Sequence, residues 1–159
     1  MAILFYQVGA PYGCFSNFSP HAIHCAGLPW PTVEHYYQAH KFLGSPDASL
    51  IGAIRLAPTP EIAASLGRDR QRKLRLDWTE IKKQVMYRGV LTKFLTHPAL
   101  RQTLIQTGDE LLIENSPRDY FWGCGQDGTG ANELGKVLMT VRHQLREGGL
   151  GWKDANVAP

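Results

Sequence analysis

The chain has no apolar run long enough to span a bilayer, and its first residues, MAILFYQVGAPYG, lack the basic region and apolar length of a signal peptide. Neither membrane insertion nor secretion is expected, so the reading is a soluble cytoplasmic protein. The three cysteines, Cys14, Cys25 and Cys124, show no CxxC spacing and cannot all pair within one chain, which fits free thiols in a reducing compartment. His21, His24 and Cys25 lie close in sequence, but no paired spacing completes a zinc set, and His35 and His40 are five positions apart, off a common helical face. No metal and no organic cofactor is expected. Repeats, low-complexity tracts and interdomain linkers are also missing. Neither sign of charge dominates: 17 Lys and Arg against 14 Asp and Glu leave a net charge of +3, which permits an anionic small molecule or a nucleic acid but requires neither.

What is present is one domain's worth of chain, 159 residues with 43% hydrophobic content. The pattern predicts an α+β fold, helix-rich and single-domain with a small β-sheet, over residues 1–147, followed by a tail over 148–159 in which Trp152 is the residue able to dock. Ile3 to Tyr6 reads as a strand and Ala22 to Trp30 as a hairpin turning at Ala26-Gly27. A helix is predicted from Thr32, its cap, to about Leu43, with Gly44 ending it. A short helix follows Ser45-Pro46, and another runs from Thr59 as cap, with Pro60 at its first position, to Gly67. The longest helix is expected to begin at Asp77, which with Glu80 resembles a capping box, and to end at Pro98, where the next helix opens and runs to Gly108. Leu111 to Glu114 and Tyr120 to Trp122 are short strand candidates. A last helix spans about Asn132 to Glu147, with Leu134, Leu138, Val141 and Leu145 on its apolar side.

Within PTVEHYYQAHKFL, Glu34, Gln38 and Lys41 fall four and three positions apart, so a helix places them on one face. Tyr36, Tyr37 and Phe42 surround them. A lysine among aromatic rings loses hydration, which lowers the pKa of its ammonium and leaves more free amine for nucleophilic attack. The competing reading is a solvated Glu-to-Lys stripe.

Two glycine motifs fail their context. Gly123 to Gly128 matches GxGxxG, yet the chain has no room for the second strand of a dinucleotide fold. Gly130 to Lys136 resembles a P-loop, but Val137 stands where a Ser or Thr is required. What survives is a glycine-rich turn before a helix N-terminus, whose N–H groups suit an anion, or a plain tight turn. In the basic run Arg68 to Arg75, most residues read as a solvated connector, with Arg68 the candidate to meet a substrate phosphate.

Five segments together resemble the NADAR family: GCFSNFSP (13–20), WPTVEHYYQAHKF (30–42), ALRQTLIQTGDELLIENSPRDYFWGCG (99–125), GTGANELGKVLMTVR (128–142), and LGR with RLDW (66–68 and 75–78). The resemblance runs from Phe5 to about Arg146; Cys124, in the WGxG turn, departs from the usual pattern. It implies an N-glycosidase that cleaves the C–N bond between C1′ of a phosphorylated ribose and a heterocyclic amine, with a ribosylamino-pyrimidine phosphate of early riboflavin biosynthesis as the small-molecule partner. Two alternatives use related recognition: removal of ADP-ribose from guanine in DNA or nucleotides, and a non-catalytic module that binds ADP-ribose. The resemblance implies that Lys41 is the nucleophile, forming a Schiff base with ring-opened C1′. Glu34 then orients ribose hydroxyls or shuttles a proton, unless it only partners the helix N-terminus. Asp119 is the second acid/base or cation-stabilising carboxylate, or else a turn-former after Ser116-Pro117 or a salt-bridge partner of Arg118. Trp122 and Trp78 are candidates to stack on the heterocycle, or core residues. Asn17, Gln38 and Asn132 are candidate polar contacts, Asn132 alternatively a helix cap, and Gly123 belongs to the binding turn.

Overall fold

The computed structural model describes residues 1–148, so the expected tail from residue 149 onward, Trp152 included, lies outside the described residues. The fold is built around one short helix, α1 (Val33–His40), which packs against α2 (Leu50–Arg55), α3 (Pro60–Gly67) and α4 (Trp78–Thr96). Thr32 starts it as expected, its Oγ1 accepting the His35 N–H at 3.2 Å. Every residue from Val33 to Ala39 is buried, so this helix has no solvent face, yet three of those residues are polar or charged. Buried polar groups require partners. The His35 ring finds two, Thr32 Oγ1 at 2.8 Å and the Ala57 carbonyl at 3.0 Å. The Gln38 side-chain amide donates to Glu34 Oε1 at 2.7 Å. The helix stops before the expected Leu43: Lys41 is its C-cap residue, and a turn leads to Gly44 at φ 76°.

The strands form two separate pairs. β1 (Ala2–Phe5) runs parallel to β4 (Leu111–Glu114), with Phe5 opposite Glu114, and β2 (Ile23–Cys25) pairs antiparallel with β3 (Leu28–Trp30) through the expected Ala26-Gly27 turn. Both turn residues have positive φ, as a tight two-residue hairpin demands. Helices α5 (Pro98–Gln106) and α6 (Glu133–Glu147) complete the domain, and Gly148 ends α6 in the left-handed conformation. Among the described residues no helix is long and apolar enough to cross a membrane.

Three expectations are corrected here. Tyr120 to Trp122 is not a strand: its carbonyls turn inward, and those of Phe121, Trp122 and Gly123 accept N–H bonds from Glu133, Leu134 and Asn132 at 2.9–3.0 Å. This loop therefore occupies donors at the start of α6, so of the two readings of that glycine-rich turn, an anion site or a plain tight turn, these bonds favour the plain turn. Asp77 does not build a capping box, because its carboxylate is held by Arg75 at 2.6 and 3.1 Å. Asn132 is neither a side-chain cap nor a residue facing ligand. At φ 53°, its Oδ1 accepts the Glu114 N–H at 3.0 Å and its Nδ2 donates to the Leu112 carbonyl at 2.9 Å, clamping the free edge of β4.

A buried lysine braces the other side of the domain. Lys93 of α4 donates from Nζ to the Ser16 carbonyl at 2.9 Å and to Ser19 Oγ at 2.6 Å, and burial pushes its pKa down to about 7. The Asn132 clamp gives a direct test. Glycine at position 132 removes any strain of the left-handed backbone but also both bonds to β4. Asn132→Gly is expected to destabilise the fold by about 1–3 kcal/mol in denaturant titration, whereas a purely conformational role predicts no loss.

Candidate active site

The α1 face predicted from spacing opens onto a small recess of ≈ 130 Å³ that Glu34, Gln38 and Lys41 share with Tyr37. Other elements close it: Asn17 and Phe18 from the loop braced by Lys93, Arg68 from the end of α3, Glu114 from the end of β4, and Asp119 and Trp122 from the loop that covers α6. The recess adjoins a larger cleft of ≈ 860 Å³, and Phe18, Arg68, Glu114 and Asp119 line both. The cleft's volume is that of a small-molecule site.

Close packing of α3 on α1 sets the position of Lys41. Gly67, the last residue of α3, lies against the Gln38 side chain with no room for a Cβ, and its carbonyl accepts a bond from Lys41 Nζ at 3.3 Å. The same ammonium lies 5.6 Å from the centre of the Tyr37 ring. Burial pushes the Lys41 pKa down to about 8, opposed by Glu34 and aided by the neighbouring cations Arg68 and Lys82. Glu34 is 5% exposed, and burial raises its carboxyl above the usual range against the pull of Gln38.

Asp119 is held as an Asx turn, Oδ1 accepting the N–H groups of Phe121 and Trp122 at 2.9 and 2.7 Å. Among the described residues no ion pair joins it to Arg118, so of the two expected structural roles only the turn is present. Trp122 stands edge-on to Tyr37 with ring centres 5.4 Å apart, and its indole N–H donates to the Tyr37 hydroxyl at 3.1 Å. It therefore offers the recess a flat wall rather than a hydrogen bond. Arg68 is exposed at the mouth, while Arg72 pairs with Asp47 and Asp69 and Arg75 with Asp77, so two cations of the basic run are paired within the protein.

Three expected site residues stand behind the walls. Trp78 packs its ring on Tyr37 at 5.1 Å between centres and is 6% exposed; it is core that backs the site. Gly123 faces the Asp119 carbonyl and the Ser116 side chain, where a Cβ would lie within 2.9 Å of each, so it allows the loop to close but lines neither cavity. Asn132 serves the β4 clamp. Conversely, the sequence reading assigned no role to Glu114 or Phe18 and named Tyr37 only as part of the aromatic setting of Lys41. Glu114 is the most consequential: burial, reinforced by Asp119 and Glu34, raises its carboxyl to about 8, and its Oε2 is a buried atom without a hydrogen-bond partner among the described residues. Its position in IENSPRDY, inside a segment already marked by resemblance, was the available signal.

Comparison with known proteins agrees with this architecture. The family model of the NADAR domain matches residues 4–146. An N-glycosidase of Nostoc punctiforme is 60% identical over 92% of this chain and 94% of its own length. The chloroplastic riboflavin biosynthesis protein PYRR of Zea mays is 46% identical over 90% of this chain, which corresponds to 25% of that longer protein. The NMR structure of the Escherichia coli protein YbiA superposes with a TM-score of 0.85 at 42% identity, covering 93% of this chain and 86% of the other.

The raised Glu114 carboxyl has a measurable effect on stability. Its folded pKa of about 8 lies above the ordinary value of 4.5, so between those values the folded protein retains a proton that the unfolded chain releases. The contribution is fully present below about pH 4.5 and is lost as pH rises through about 8. Glu114→Gln, which cannot ionise, is expected to remove this component of the fall in stability. Denaturant titrations of both proteins at several pH values across that window measure the difference.

Proposed function

The chain belongs to the NADAR family and is an N-glycosidase, a hydrolase of N-glycosyl bonds, and from that premise we propose that it cleaves the bond between ribose 5-phosphate and an aminopyrimidine of early riboflavin biosynthesis, with Lys41 as nucleophile. The substrate class rests on the naming of the maize relative as a riboflavin biosynthesis protein. The mechanism is supported by one observation above the rest: a half-buried lysine amine opening onto the same recess as three carboxyl groups.

In the ring-opened ribosylamine, C1′ is an imine carbon. The neutral Lys41 amine adds to it. The C1′–N bond to the heterocycle then breaks, its electron pair leaves on the departing amine, and a protonated imine joins Lys41 to C1′. Water adds to C1′, and collapse of that adduct returns the free amine and the aldehyde of ribose 5-phosphate. One water is consumed. A Lys41 pKa of about 8 leaves roughly a tenth of the amine neutral at pH 7, far more than an ordinary lysine provides. Glu34, steadied by Gln38, orients the ribose hydroxyls. Asp119 stabilises positive charge developing at C1′ from its fixed turn. Trp122 and Phe18 provide flat surfaces for the heterocycle, Asn17 a polar contact beside it, and Arg68 at the mouth meets the phosphate. The mechanism uses no metal and no organic cofactor.

Borohydride trapping read by intact-protein mass spectrometry tests this reading. Wild type incubated with a ribosylamino-pyrimidine phosphate is expected to gain the mass of reduced ribose phosphate, and Lys41→Ala to gain nothing and lose turnover by several orders of magnitude. An ADP-ribose-sized adduct formed only from ADP-ribosylated guanosine would reassign the substrate. No adduct and no released base from either compound would remove Lys41 as the nucleophile.

A further inference from the structure

Release of the heterocycle needs a proton that Lys41 alone does not supply. When the amine adds to the ring-opened imine, one proton on the departing nitrogen comes from Lys41 itself. A second must arrive before that nitrogen leaves as a neutral amine. We propose that Glu114 is the catalytic acid that delivers this second proton and, once ionised, the base that takes a proton from the water attacking the Lys41–C1′ imine. The assignment rests on the Lys41 mechanism above.

Position separates Glu114 from the other two carboxyl groups. The departing heterocycle must move from the small recess into space that can hold it, and Glu114 lines both the recess and the larger cleft, whereas Glu34 lines the recess alone. Glu34 Oε1 also already accepts from Gln38. Asp119 borders both cavities, but its Oδ1 is committed to two backbone N–H groups. Glu114 has a buried Oε2 with no partner among the described residues, a costly arrangement unless a ligand group completes it.

Its backbone is fixed on both sides. The N–H donates to Asn132 Oδ1 at 3.0 Å, and the carbonyl accepts from Cys124 at 2.9 Å. A carboxyl at the end of a clamped strand has little freedom to drift. The charged groups around it are Asp119 and Glu34, which favour its protonated form, and Arg68, which opposes it. An acid with a pKa of about 8 is mostly protonated at neutrality, and proton transfer is best served by a pKa near the working pH.

The cycle balances. Glu114 gives its proton to the leaving nitrogen, takes one back from the attacking water, and the hydroxyl proton of the resulting adduct passes to the Lys41 nitrogen as the aldehyde forms.

The test separates expulsion of the amine from capture of the sugar. Free ribose 5-phosphate already carries an aldehyde, so the amount of Lys41 adduct it forms at equilibrium requires no heterocycle to leave. In Glu114→Gln, base release from the ribosylamine phosphate is expected to fall about 100- to 10,000-fold and to lose its decline at high pH. The extent of borohydride-trapped adduct from free ribose 5-phosphate is expected to remain within about twofold of wild type. Added imidazole, whose conjugate acid titrates near neutrality and can donate a proton there, is expected to restore part of the base release in Glu114→Ala and none in Lys41→Ala. Near-wild-type release in Glu114→Gln overturns the assignment, as does equal loss of release and adduct in both Glu114 variants. If wild type itself forms no ribose 5-phosphate adduct, the Lys41 mechanism falls and this assignment with it. A normal wild-type adduct with undiminished Glu114→Gln turnover removes only the role of Glu114.

Discussion

Charge held out of water is the constraint on which the rest of this molecule depends. Glu34, Lys41, Glu114 and Asp119 share a recess of ≈ 130 Å³, and desolvation is the largest cause of the pKa shift at Glu34, Lys41 and Glu114. Each displacement favours a neutral form, the free amine of Lys41 and the protonated carboxyls of Glu34 and Glu114. The same groups fully hydrated would approach ordinary values, with the amine protonated and the acids ionised. The fold must therefore keep the recess narrow, and that requirement accounts for features that otherwise look wasteful. A helix buried on every face carries polar residues at its centre. A glycine stands where α3 meets α1. Tyr37 and Trp122 line the site with Trp78 behind them, at ring separations of 5.1 Å for Tyr37–Trp78 and 5.4 Å for Tyr37–Trp122.

Two loops bring residues to the recess, and each is tied to a helix by polar groups that bind the protein's own backbone. The loop over α6 gives the carbonyls of Phe121, Trp122 and Gly123 to the helix N–H groups, leaving its side chains to form the wall. The loop bearing Asn17 and Phe18 is anchored by Lys93 through Ser16 and Ser19, and the Asn17 carbonyl accepts the Glu34 N–H at 3.1 Å. Residues that read as ligand-binding by type, such as Asn132, are used instead to hold the frame. The residues that face the recess were brought there by that frame.

Local signals in the chain were legible. Thr32 and Thr59 start their helices as caps, Ala26-Gly27 turns the hairpin, and the four-and-three spacing of Glu34, Gln38 and Lys41 does put them on one cavity. What could not be read depends on contacts distant in sequence. Glu114 looks like the polar end of a short strand until β1 and Asn132 fix that strand with its end at the recess. Tyr120 to Trp122 has strand-like composition, yet the orphan donors of α6 compete for its carbonyls and win. Asp77 has the right spacing for a capping box, but Arg75, two residues away, binds its carboxylate with two bonds. In each case a local propensity was correct in kind and a stronger partner elsewhere decided the outcome.

Two desolvated lysines, Lys93 and Lys41, show what distinguishes a brace from the nucleophile proposed above. Desolvation depresses both, Lys93 to about 7 and Lys41 to about 8, so the displaced pKa does not distinguish them and would even favour Lys93. Surroundings do. The Lys93 ammonium is enclosed and has two oxygen partners at 2.9 and 2.6 Å, both from one loop, so attack on a substrate would require that loop to leave. Lys41 makes one long bond of 3.3 Å to Gly67 and lines the cavity. Moving it toward a carbon atom sacrifices little. Its neighbours are also balanced for such a step: Glu34 favours the charged amine, while Arg68 and Lys82 disfavour it. A phosphate arriving at Arg68 would screen one of those cations and shift the balance toward the ammonium. Substrate binding therefore works against the free amine unless burial by the sugar and its base excludes more water than the phosphate adds charge. A narrow recess opening onto a wide cleft meets that condition, because the reacting end can be dry while the rest of the ligand remains accessible.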